Sequence, residues 1–264
     1  MKKYLVIGNP IEHSLSPKLH NYWIKKNNID AFYEKKKLVE EEVENFIIEI
    51  KEKKIAGANI TVPFKNTVIP FLDKLSPESK STQSVNTLYL NNNEIIGHNT
   101  DIEGFETGIR KTKYEVEGKK VLILGGGGVV PSIIFALIKM KASQITVSNR
   151  TKSKAENLKK LFKDLNIVNW GKVPYFDIII NATSIGLNKN DKIEIDFTSI
   201  GKNKLFYDVI YNPVETNFLK EGKKSGNQTE NGKLMFIYQA YSAFKIWHGI
   251  SPLVNNDIIE LLNQ

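Results

Sequence analysis

Short apolar runs alternate with amphipathic stretches along the first hundred residues. Residues 4–8, 31–38 and 56–62 have the apolar composition of β-strands. Between them, residues 17–26 and 41–53 repeat their apolar positions with the period of a helix. The alternation of the two patterns predicts an α/β fold from the start of the chain.

Two short strands are predicted next, over 85–90 and 94–97, and a helix is predicted to start near Thr100. Thr100 followed by Glu103 has the spacing of a capping box. Asp101 then falls in the first turn of this helix, where the helix dipole favours a carboxylate.

A second unit is predicted to begin near residue 119. Residues 120–124 form a continuous apolar strand, which is typical of a parallel sheet that is buried on both faces. Strand and helix patterns continue to alternate after it, which predicts right-handed crossover connections. The predicted elements are a helix to about 140, a strand over 144–148, a helix over 152–165, strands over 176–181 and 205–209, and helices over 234–247 and 253–262.

Composition and charge exclude several classes of protein. A chain of 264 residues is long enough for one large or two modest domains. It has no cysteine, which excludes disulfides, thiol catalysis and cysteine-ligated metals. No apolar run approaches the roughly 20 residues of a membrane-spanning helix, and the first apolar run is too short for a signal peptide. We therefore expect a cytoplasmic protein that binds no membrane.

The formal net charge of +8 does not indicate a nucleic-acid-binding protein. Of the 37 basic residues only Arg110 and Arg150 are arginine, and many lysines alternate with glutamates as on solvated helix faces. No basic cluster is interleaved with aromatic residues. The charge instead favours small acidic ligands. No metal is predicted, because the histidines do not have the spacing of metal ligands.

A glycine-rich loop joins the strand at 120–124 to the helix that follows. Gly125 allows a tight turn, and Gly127 allows backbone N–H groups to approach a pyrophosphate at the helix N-terminus. Val130 stands where the dinucleotide-binding fingerprint has its third small residue, and Pro131 follows it. The alternative is an ordinary strand-to-helix turn.

The end of the next strand indicates which dinucleotide is bound. An NAD site has an acidic residue about 20 residues after the glycine loop, whereas this chain has Arg150 there. A guanidinium can bind a 2′-phosphate through paired hydrogen bonds, and Thr151 and Lys154 can add a hydroxyl and a charge. The pattern predicts NADP rather than NAD. The alternative is that Arg150 is simply exposed after a strand.

Hydroxyl and charged residues follow strands of the first unit as well. Ser14 and Ser16 lie beside a helix start and could hold an anion, although Ser16 could equally be an N-cap before Pro17. Lys65 and Asp101 each follow a strand, where open α/β sheets place ligands. Taken singly, Lys65 is most simply a solvated lysine and Asp101 an acid favoured by the helix dipole.

Together these segments resemble the shikimate dehydrogenase family over nearly the whole chain. The segments at 8–17 and 57–65 are specific to that family, whereas the glycine loop is not. The motifs that carry the resemblance lie in order at 8–17, 57–65, 85–87, 99–101, 125–128, 149–151, 181–186, 207–213, 231–235 and 239–240.

The resemblance implies NADPH-dependent reduction of 3-dehydroshikimate to shikimate by a monomer or homodimer. It implies a substrate-binding catalytic domain over 1–106, completed by 233–264, and an inserted Rossmann NADP-binding domain over 107–232, with the active site in the cleft between them. The alternatives are a quinate/shikimate dehydrogenase of broader cofactor use and a catalytically silent NADP-binding regulator.

The resemblance also implies roles for individual residues. Lys65 and Asp101 would be the catalytic pair, with either Lys65 or a water transferring the proton. Ser14 and Ser16 would hold the substrate carboxylate. The other implied substrate contacts, to ring hydroxyls or the carboxylate, are Thr61, Asn86, Tyr211 and Gln239. The implied cofactor contacts are Gly125, Gly126, Gly127, Gly128, Val129, Asn149, Arg150, Thr151, Lys154, Val209 and Gly232, of which Val209 and Gly232 would approach the nicotinamide.

Overall fold

Two six-stranded sheets organise the chain, one in each of two units. The computed structural model describes residues 1–197 and 200–263. The first unit comprises Met1–Asp101 and Ile237–Gln264, and the second comprises Ile102–Phe236.

The first unit alternates strands and helices, as the apolar pattern predicts. Short 3₁₀ turns at Glu40–Glu42 and Ile69–Phe71 supplement the regular elements. Those elements are β1 (Lys2–Gly8), α1 (Ser16–Lys26), β2 (Ala31–Lys37), α2 (Val43–Lys51), β3 (Gly57–Ile60), β4 (Lys74–Leu75), α3 (Pro77–Thr82), β5 (Thr87–Asn91) and β6 (Glu94–His98), followed at the chain's end by most of α8 (Lys233–His248) and by α9 (Asn256–Leu261).

The strand order of the first sheet is β2-β1-β3-β5-β6-β4. Strands β2, β1 and β3 are parallel, whereas β5 runs antiparallel to both β3 and β6. In register, Asn59 pairs with Thr87, and Thr87 pairs with His98. The carboxyl ends of β1, β3 and β6 and the amino end of β5 therefore lie at one edge of this sheet.

The two faces of the first sheet have different cores. Leu5 and Ile7 of β1 belong to a hydrophobic cluster with Phe46 and Ile50 of α2. Because successive side chains of a strand point to opposite faces, Tyr4 lies on the other face. An aromatic cluster covers that face, made by Tyr4, His20, Trp23, Tyr33, Phe244, Trp247 and His248.

The second unit contains an all-parallel sheet in the order β12-β11-β10-β7-β8-β9. Numbered from β7, this is the 3-2-1-4-5-6 order of the doubly wound dinucleotide-binding fold, and it confirms the predicted Rossmann architecture. The elements are α4 (Asp101–Lys111), β7 (Lys120–Leu124), α5 (Val130–Lys139), β8 (Gln144–Ser148), α6 (Lys152–Leu161), β9 (Asn166–Val168), β10 (Ile178–Asn181), β11 (Leu205–Asp208), α7 (Asn217–Lys224) and β12 (Gln228–Glu230).

The differences from the sequence expectations have local causes. Helix α6 ends at Leu161 rather than at 165, because Phe162 already has extended backbone angles. Strands β4, β9 and β12 were not predicted, since they have only two or three residues each and little apolar alternation. Helix α7 was not predicted either, and its charged sequence contains a glycine.

His20 of α1 is an unusual member of the aromatic cluster because it is a fully buried ionisable group. Its ring stacks on Tyr33 with centroids 4.3 Å apart and planes inclined by 3°. Neither ring nitrogen has a hydrogen-bond partner among the described residues. Burial, and secondarily the charge of His248, lower the pKa of His20 to about 3. The folded protein therefore keeps this imidazole neutral.

We predict that stability falls as the pH drops below the ordinary histidine pKa of about 6.5. In this range the unfolded chain binds a proton at residue 20 and the folded chain does not, so acid favours unfolding. The His20→Phe variant keeps a ring in the stack. Between pH 6.5 and 5, its free energy of unfolding should fall by about 2 kcal/mol less than that of wild type. Urea unfolding at several pH values measures this difference.

The matched control is His13→Asn, which removes an exposed histidine. A His20→Phe variant with the same pH dependence as wild type would contradict the assignment of a neutral buried imidazole.

Candidate functional site

Polar side chains gather at the edge of the first sheet where β1, β3 and β6 end and β5 begins. Thr61 and Asn86 directly adjoin a strand, and the others lie in the segments that follow strands at this edge. Ser14 and Ser16 follow β1, Thr61 and Lys65 follow β3, Asn86 precedes β5, and Asp101 follows β6.

A buried ion pair joins Lys65 to Asp101. The Lys65 Nζ donates to Asp101 Oδ2, and the two residues are only 7% and 6% exposed. The Asp101 backbone N–H is bonded to Asn99 Oδ1 at 3.1 Å, and the Lys65 carbonyl accepts from Val85 N at 2.9 Å. Both residues are therefore fixed by backbone hydrogen bonds as well as by the ion pair between their side chains. The simpler interpretation of Lys65 as a solvated lysine is wrong, whereas Asp101 does begin a helix, Asp101–Lys111, as expected.

Asn86 fixes the other oxygen of the aspartate. Its Nδ2 donates to Asp101 Oδ1 at 3.0 Å and to Thr100 Oγ1 at 2.9 Å. Its Oδ1 accepts from the Thr100 backbone N–H at 2.7 Å. Because both ends of the amide are bonded, the Asp101 carboxylate is oriented with Oδ2 left for Lys65.

The two serines lie close together at the start of α1. Ser14 Oγ accepts the backbone N–H of Ser16 at 3.3 Å. Ser16 is the first residue of α1, and Leu15 is its N-cap without a side-chain capping bond, so the N-cap interpretation of Ser16 is wrong. Ser14 also lines a surface depression of about 560 Å³ with Lys18, Glu34 and Lys35, whose charges leave an excess of one positive charge there.

The remaining predicted substrate residues are more dispersed. Thr61 is half-buried, and its backbone N–H donates to Ile7 O at 2.9 Å, which ties the end of β3 to β1. Gln239 is half-buried on α8 within the first unit. Tyr211 belongs to the second unit, where its ring stacks on Phe236 at 4.5 Å.

Gly125 of the glycine loop occupies a position that only glycine can take. Gly125 has φ of +122°, and a Cβ there would lie 2.6 Å from the carbonyl oxygen of Ala182. At Gly126 a Cβ would lie 3.1 Å from Asn149 Cγ. At Gly127 a Cβ would meet no atom within 4 Å, so this glycine is not required by packing within the protein. Open space beside Gly127 is what a bound pyrophosphate requires.

The loop leads directly into α5. Gly128 and Val129 are half-buried, and Val129 is the N-cap residue without a side-chain capping bond. Val130 and Pro131, which depart from the dinucleotide-binding fingerprint, are buried at the start of the helix. Both residues therefore pack into the core, and the positive end of the α5 dipole remains beside the loop.

The segment after β8 carries the residues predicted to select the cofactor. Asn149 Nδ2 donates to Thr151 O at 2.7 Å and closes a tight turn. Arg150, Thr151 and Lys154 are all exposed, and Thr151 is the N-cap residue of α6 without a side-chain capping bond. The first acid after β8 is Glu156, one turn into α6 and 3.8 Å from Lys152. A 2′-phosphate would meet cations and a hydroxyl at this turn.

Val209 and Gly232 are brought together at the carboxyl end of β11. A Cβ at Gly232 would lie 2.0 Å from the Val209 carbonyl oxygen, so glycine is obligatory there. The Gly232 N–H donates to Ile210 O at 3.1 Å, and the Val209 N–H donates to Asn181 O at 3.0 Å. This backbone cluster adjoins the point between β7 and β10 where the strand order reverses, the usual ligand position in such sheets.

Sequence reasoning missed several polar residues that support the site, among them Tyr33, Asn59 and Thr87. All three are buried, and Tyr33 Oη donates to Asn59 Oδ1 at 2.7 Å. An asparagine and a threonine within buried strands were the available signal, because buried polar groups need partners.

Among residues 1–197 and 200–263, no three histidine, aspartate or glutamate side chains form a group that could hold a metal ion. Over the same residues, no helix has the length and apolar character needed to cross a membrane.

Fold and site together define a nicotinamide-nucleotide dehydrogenase. One unit has the strand order and glycine loop of a dinucleotide-binding domain, and the other has a buried Lys–Asp pair at a polar sheet edge. A family model for the shikimate dehydrogenase substrate binding domain matches residues 6–88, and one for shikimate / quinate 5-dehydrogenase matches residues 108–209. The chain belongs to the shikimate dehydrogenase family.

Individual relatives agree with this membership over the full chain. The chain is 59% identical over 262 residues to the shikimate dehydrogenase (NADP(+)) of Pelagibacter ubique (strain HTCC1062), covering 99% of each. The shikimate dehydrogenase structure from Aquifex aeolicus is 35% identical with a TM-score of 0.92, covering 100% of this chain and 98% of that one. The Thermus thermophilus enzyme in complex with NADP(H) and shikimate is 28% identical with a TM-score of 0.90, covering 100% of this chain and 99% of that one.

We predict that Arg150→Ala weakens NADP binding roughly ten- to a hundredfold. A charge-assisted hydrogen bond is worth about 1.5–3 kcal/mol, and NAD lacks the phosphate that would accept it. Thr151 and Lys154 should preserve part of the preference, and the effect should shrink at high salt because an exposed pair is screened over about 8–10 Å. Values of kcat/KM for both cofactors at low and high ionic strength measure this.

The control is Arg110→Ala, which removes the other arginine, bonded to Glu106 at 3.1 Å. An equal loss for NADP and NAD in Arg150→Ala would overturn the 2′-phosphate assignment.

Proposed function

We propose that this protein catalyses the reversible NADPH-dependent reduction of 3-dehydroshikimate to shikimate, in the pathway to the aromatic amino acids. The observation that carries the proposal is the buried Lys65–Asp101 pair at the sheet edge that also presents Ser14 and Ser16. Family membership supports the same reaction, since the relatives named above are NADP-dependent shikimate dehydrogenases.

The residues of the pair suit the reduction of a ketone. NADPH, when bound, supplies the hydride, and negative charge then develops on the carbonyl oxygen. The Lys65 ammonium stabilises that charge and is placed to supply the proton, directly or through a water. Asp101 holds the ammonium in place, and Asn86 holds Asp101. In the reverse direction the same lysine receives the proton of the shikimate hydroxyl.

The neighbouring groups account for the rest of an acidic, hydroxylated substrate. Ser14 and Ser16 would bind the carboxylate, helped by the excess positive charge of the depression that Ser14 lines. Further hydrogen bonds to the ring hydroxyls or the carboxylate would come from Thr61, Asn86, Gln239 and Tyr211.

NADP fits the second unit on two observations. The free space at Gly127 and the N-terminus of α5 suit a pyrophosphate, and the exposed Arg150 suits a 2′-phosphate. The loop residues Gly125 to Val129, the turn of Asn149, Thr151 and Lys154, and the backbones of Val209 and Gly232 complete the proposed contacts. A monomer or homodimer and a cytoplasmic location remain predictions.

A spectrophotometric assay of NADP reduction tests the proposal against its alternatives. Wild-type protein should reduce NADP with shikimate much faster than with quinate, and NADP should be preferred to NAD. Equal rates with quinate or with NAD would favour the broader quinate/shikimate dehydrogenase. No turnover with any pair, together with measurable NADP binding, would indicate the silent regulator.

We predict that Lys65→Ala lowers kcat by orders of magnitude and leaves the affinity for shikimate comparatively unchanged, because its charge is needed mainly in the transition state. Asp101→Asn should also lower kcat, and the double variant should be much less impaired than the product of the two single effects. Steady-state kinetics and calorimetric binding of shikimate measure the two quantities separately.

Lys74→Ala is a suitable control, since it removes an exposed lysine that is paired with Glu94 at 2.7 Å. A Lys65→Ala effect confined to KM would count against the proposed role.

A further inference from the structure

A fully buried carboxylate lies at the carboxyl end of β11 in the second unit. Asp208 occupies the last position of this strand, in register with Asn181 at the last position of β10. Asn181 in turn pairs with Leu124, the residue directly before the glycine loop. The carboxylate therefore belongs to the edge of the sheet at which the cofactor is proposed to bind.

Three uncharged donors hold this carboxylate. Its Oδ1 accepts from the Ile210 backbone N–H at 3.0 Å and from Asn181 Nδ2 at 3.1 Å, and its Oδ2 accepts from Thr216 Oγ1 at 2.6 Å. The Thr216 hydroxyl has its one proton committed here, and its oxygen accepts from the Leu219 N–H at 3.4 Å. Burial raises the pKa of Asp208 to about 6 and the three hydrogen bonds oppose that rise, so the group is mostly ionised at pH 7.

Asn181 connects the carboxylate to the segment beside the glycine loop. Its Nδ2 donates its second proton to Ile185 O at 3.1 Å, and its Oδ1 accepts from Thr183 N and Thr183 Oγ1 at 3.1 and 2.7 Å. This segment includes Ala182, whose carbonyl oxygen is the atom that a Cβ at Gly125 would strike. One buried network thus holds both the end of β11 and the segment that packs on the glycine loop.

The bond from Ile210 determines where the Val209 carbonyl points. The Val209 C=O and the Ile210 N–H belong to one planar trans peptide, so they point in opposite directions. Because the N–H is held by Asp208, the C=O is directed away from the carboxylate. The neighbouring peptides are fixed as well. The Val209 N–H donates to Asn181 O at 3.0 Å, and Ile210 O accepts from the Gly232 N–H at 3.1 Å.

We propose that Asp208 is a positioning residue, which directs the Val209 carbonyl toward the nicotinamide of bound NADP. The inference rests on the proposed function, in which the Val209 backbone approaches the nicotinamide, and adds the group that orients it. The carboxamide of nicotinamide offers N–H donors, and a carbonyl of fixed direction accepts them in one orientation of the ring. An apolar residue would fill the position of Asp208 without the cost of burying a charge.

The test compares Asp208→Ala and Asp208→Asn with wild type in the calorimetric binding of two compounds. NADP carries the nicotinamide, whereas adenosine 2′,5′-bisphosphate contains only the adenosine half with its 2′-phosphate. We expect Asp208→Ala to weaken NADP binding about tenfold, the upper range for one neutral hydrogen bond, and to change bisphosphate binding less than about twofold. Asp208→Asn keeps an acceptor for the Ile210 N–H and should bind NADP within about threefold of wild type.

Amide hydrogen exchange in the cofactor-free protein tests the geometric cause separately. The Ile210 N–H should exchange about tenfold faster in Asp208→Ala than in wild type, because its acceptor is gone. In Asp208→Asn its exchange should stay within about threefold of wild type. Unchanged exchange at Ile210 in Asp208→Ala would overturn the proposal.

Asp177→Ala is the matched control. Asp177 also accepts a backbone N–H, from Lys120 at 2.9 Å, and a hydroxyl, from Tyr175 at 3.0 Å, but it precedes β10 at the opposite end of the sheet. This variant should leave the ratio of the two affinities at the wild-type value. A merely structural role of Asp208 would weaken the binding of both compounds equally or of neither, and either result would contradict the positioning role.

Thr216 provides a second test if Asp208→Ala does not fold. Thr216→Val removes the hydroxyl that is bonded to Asp208 with little change of shape, whereas Thr216→Ser retains it. We expect the valine variant to lose about threefold in NADP affinity relative to the bisphosphate, and the serine variant to keep the wild-type ratio. Equal ratios in the two variants would overturn the proposal. Failure of wild-type protein to bind NADP would instead overturn the proposed function, and this inference with it.

Discussion

The buried ion pair between Lys65 and Asp101 is the constraint on which the first unit depends. Removing two charges from water costs several kcal/mol per ion, and mutual attraction offsets this only when the remaining hydrogen-bonding groups are satisfied. The sheet meets that condition by ending β3 and β6 and starting β5 at one edge, so that Asn86 reaches Asp101. Because burying this ion pair is costly, a catalytic role explains its presence better than a contribution to the stability of the fold.

In the second unit the main constraint is close approach of backbone segments, and it acts at two of three glycines. Gly125 and Gly232 are required because any side chain would strike Ala182 or Val209, whereas Gly127 faces open space. The protein's own packing therefore accounts for two of these glycines and does not require the third, which agrees with the proposed pyrophosphate contact at Gly127. Both units place their polar groups at strand ends, where rigid elements hold them.

Much of the fold could be predicted from sequence because its apolar periods are strong. The parallel sheet, the glycine loop and the α/β alternation all follow from local patterns around residues such as Leu122 and Gly125. Tyr33 and Asn59 could not be found in this way, since their contact depends on strand register and on the packing of α1. Ser16 was open to an N-cap interpretation because helix starts are ambiguous by one residue, and only the structure identifies Leu15 as the cap.

The most direct measurement combines stability and turnover in a double-mutant cycle of Lys65→Met and Asp101→Asn. Each single variant leaves one buried charge unpaired and should unfold more easily than wild type, by roughly 3–5 kcal/mol. The double variant removes both charges and keeps an acceptor for Asn86, so it should regain most of that stability while turning over no shikimate. A double variant as unstable as the single ones, or one that retains turnover, would contradict the account that this pair is held for chemistry.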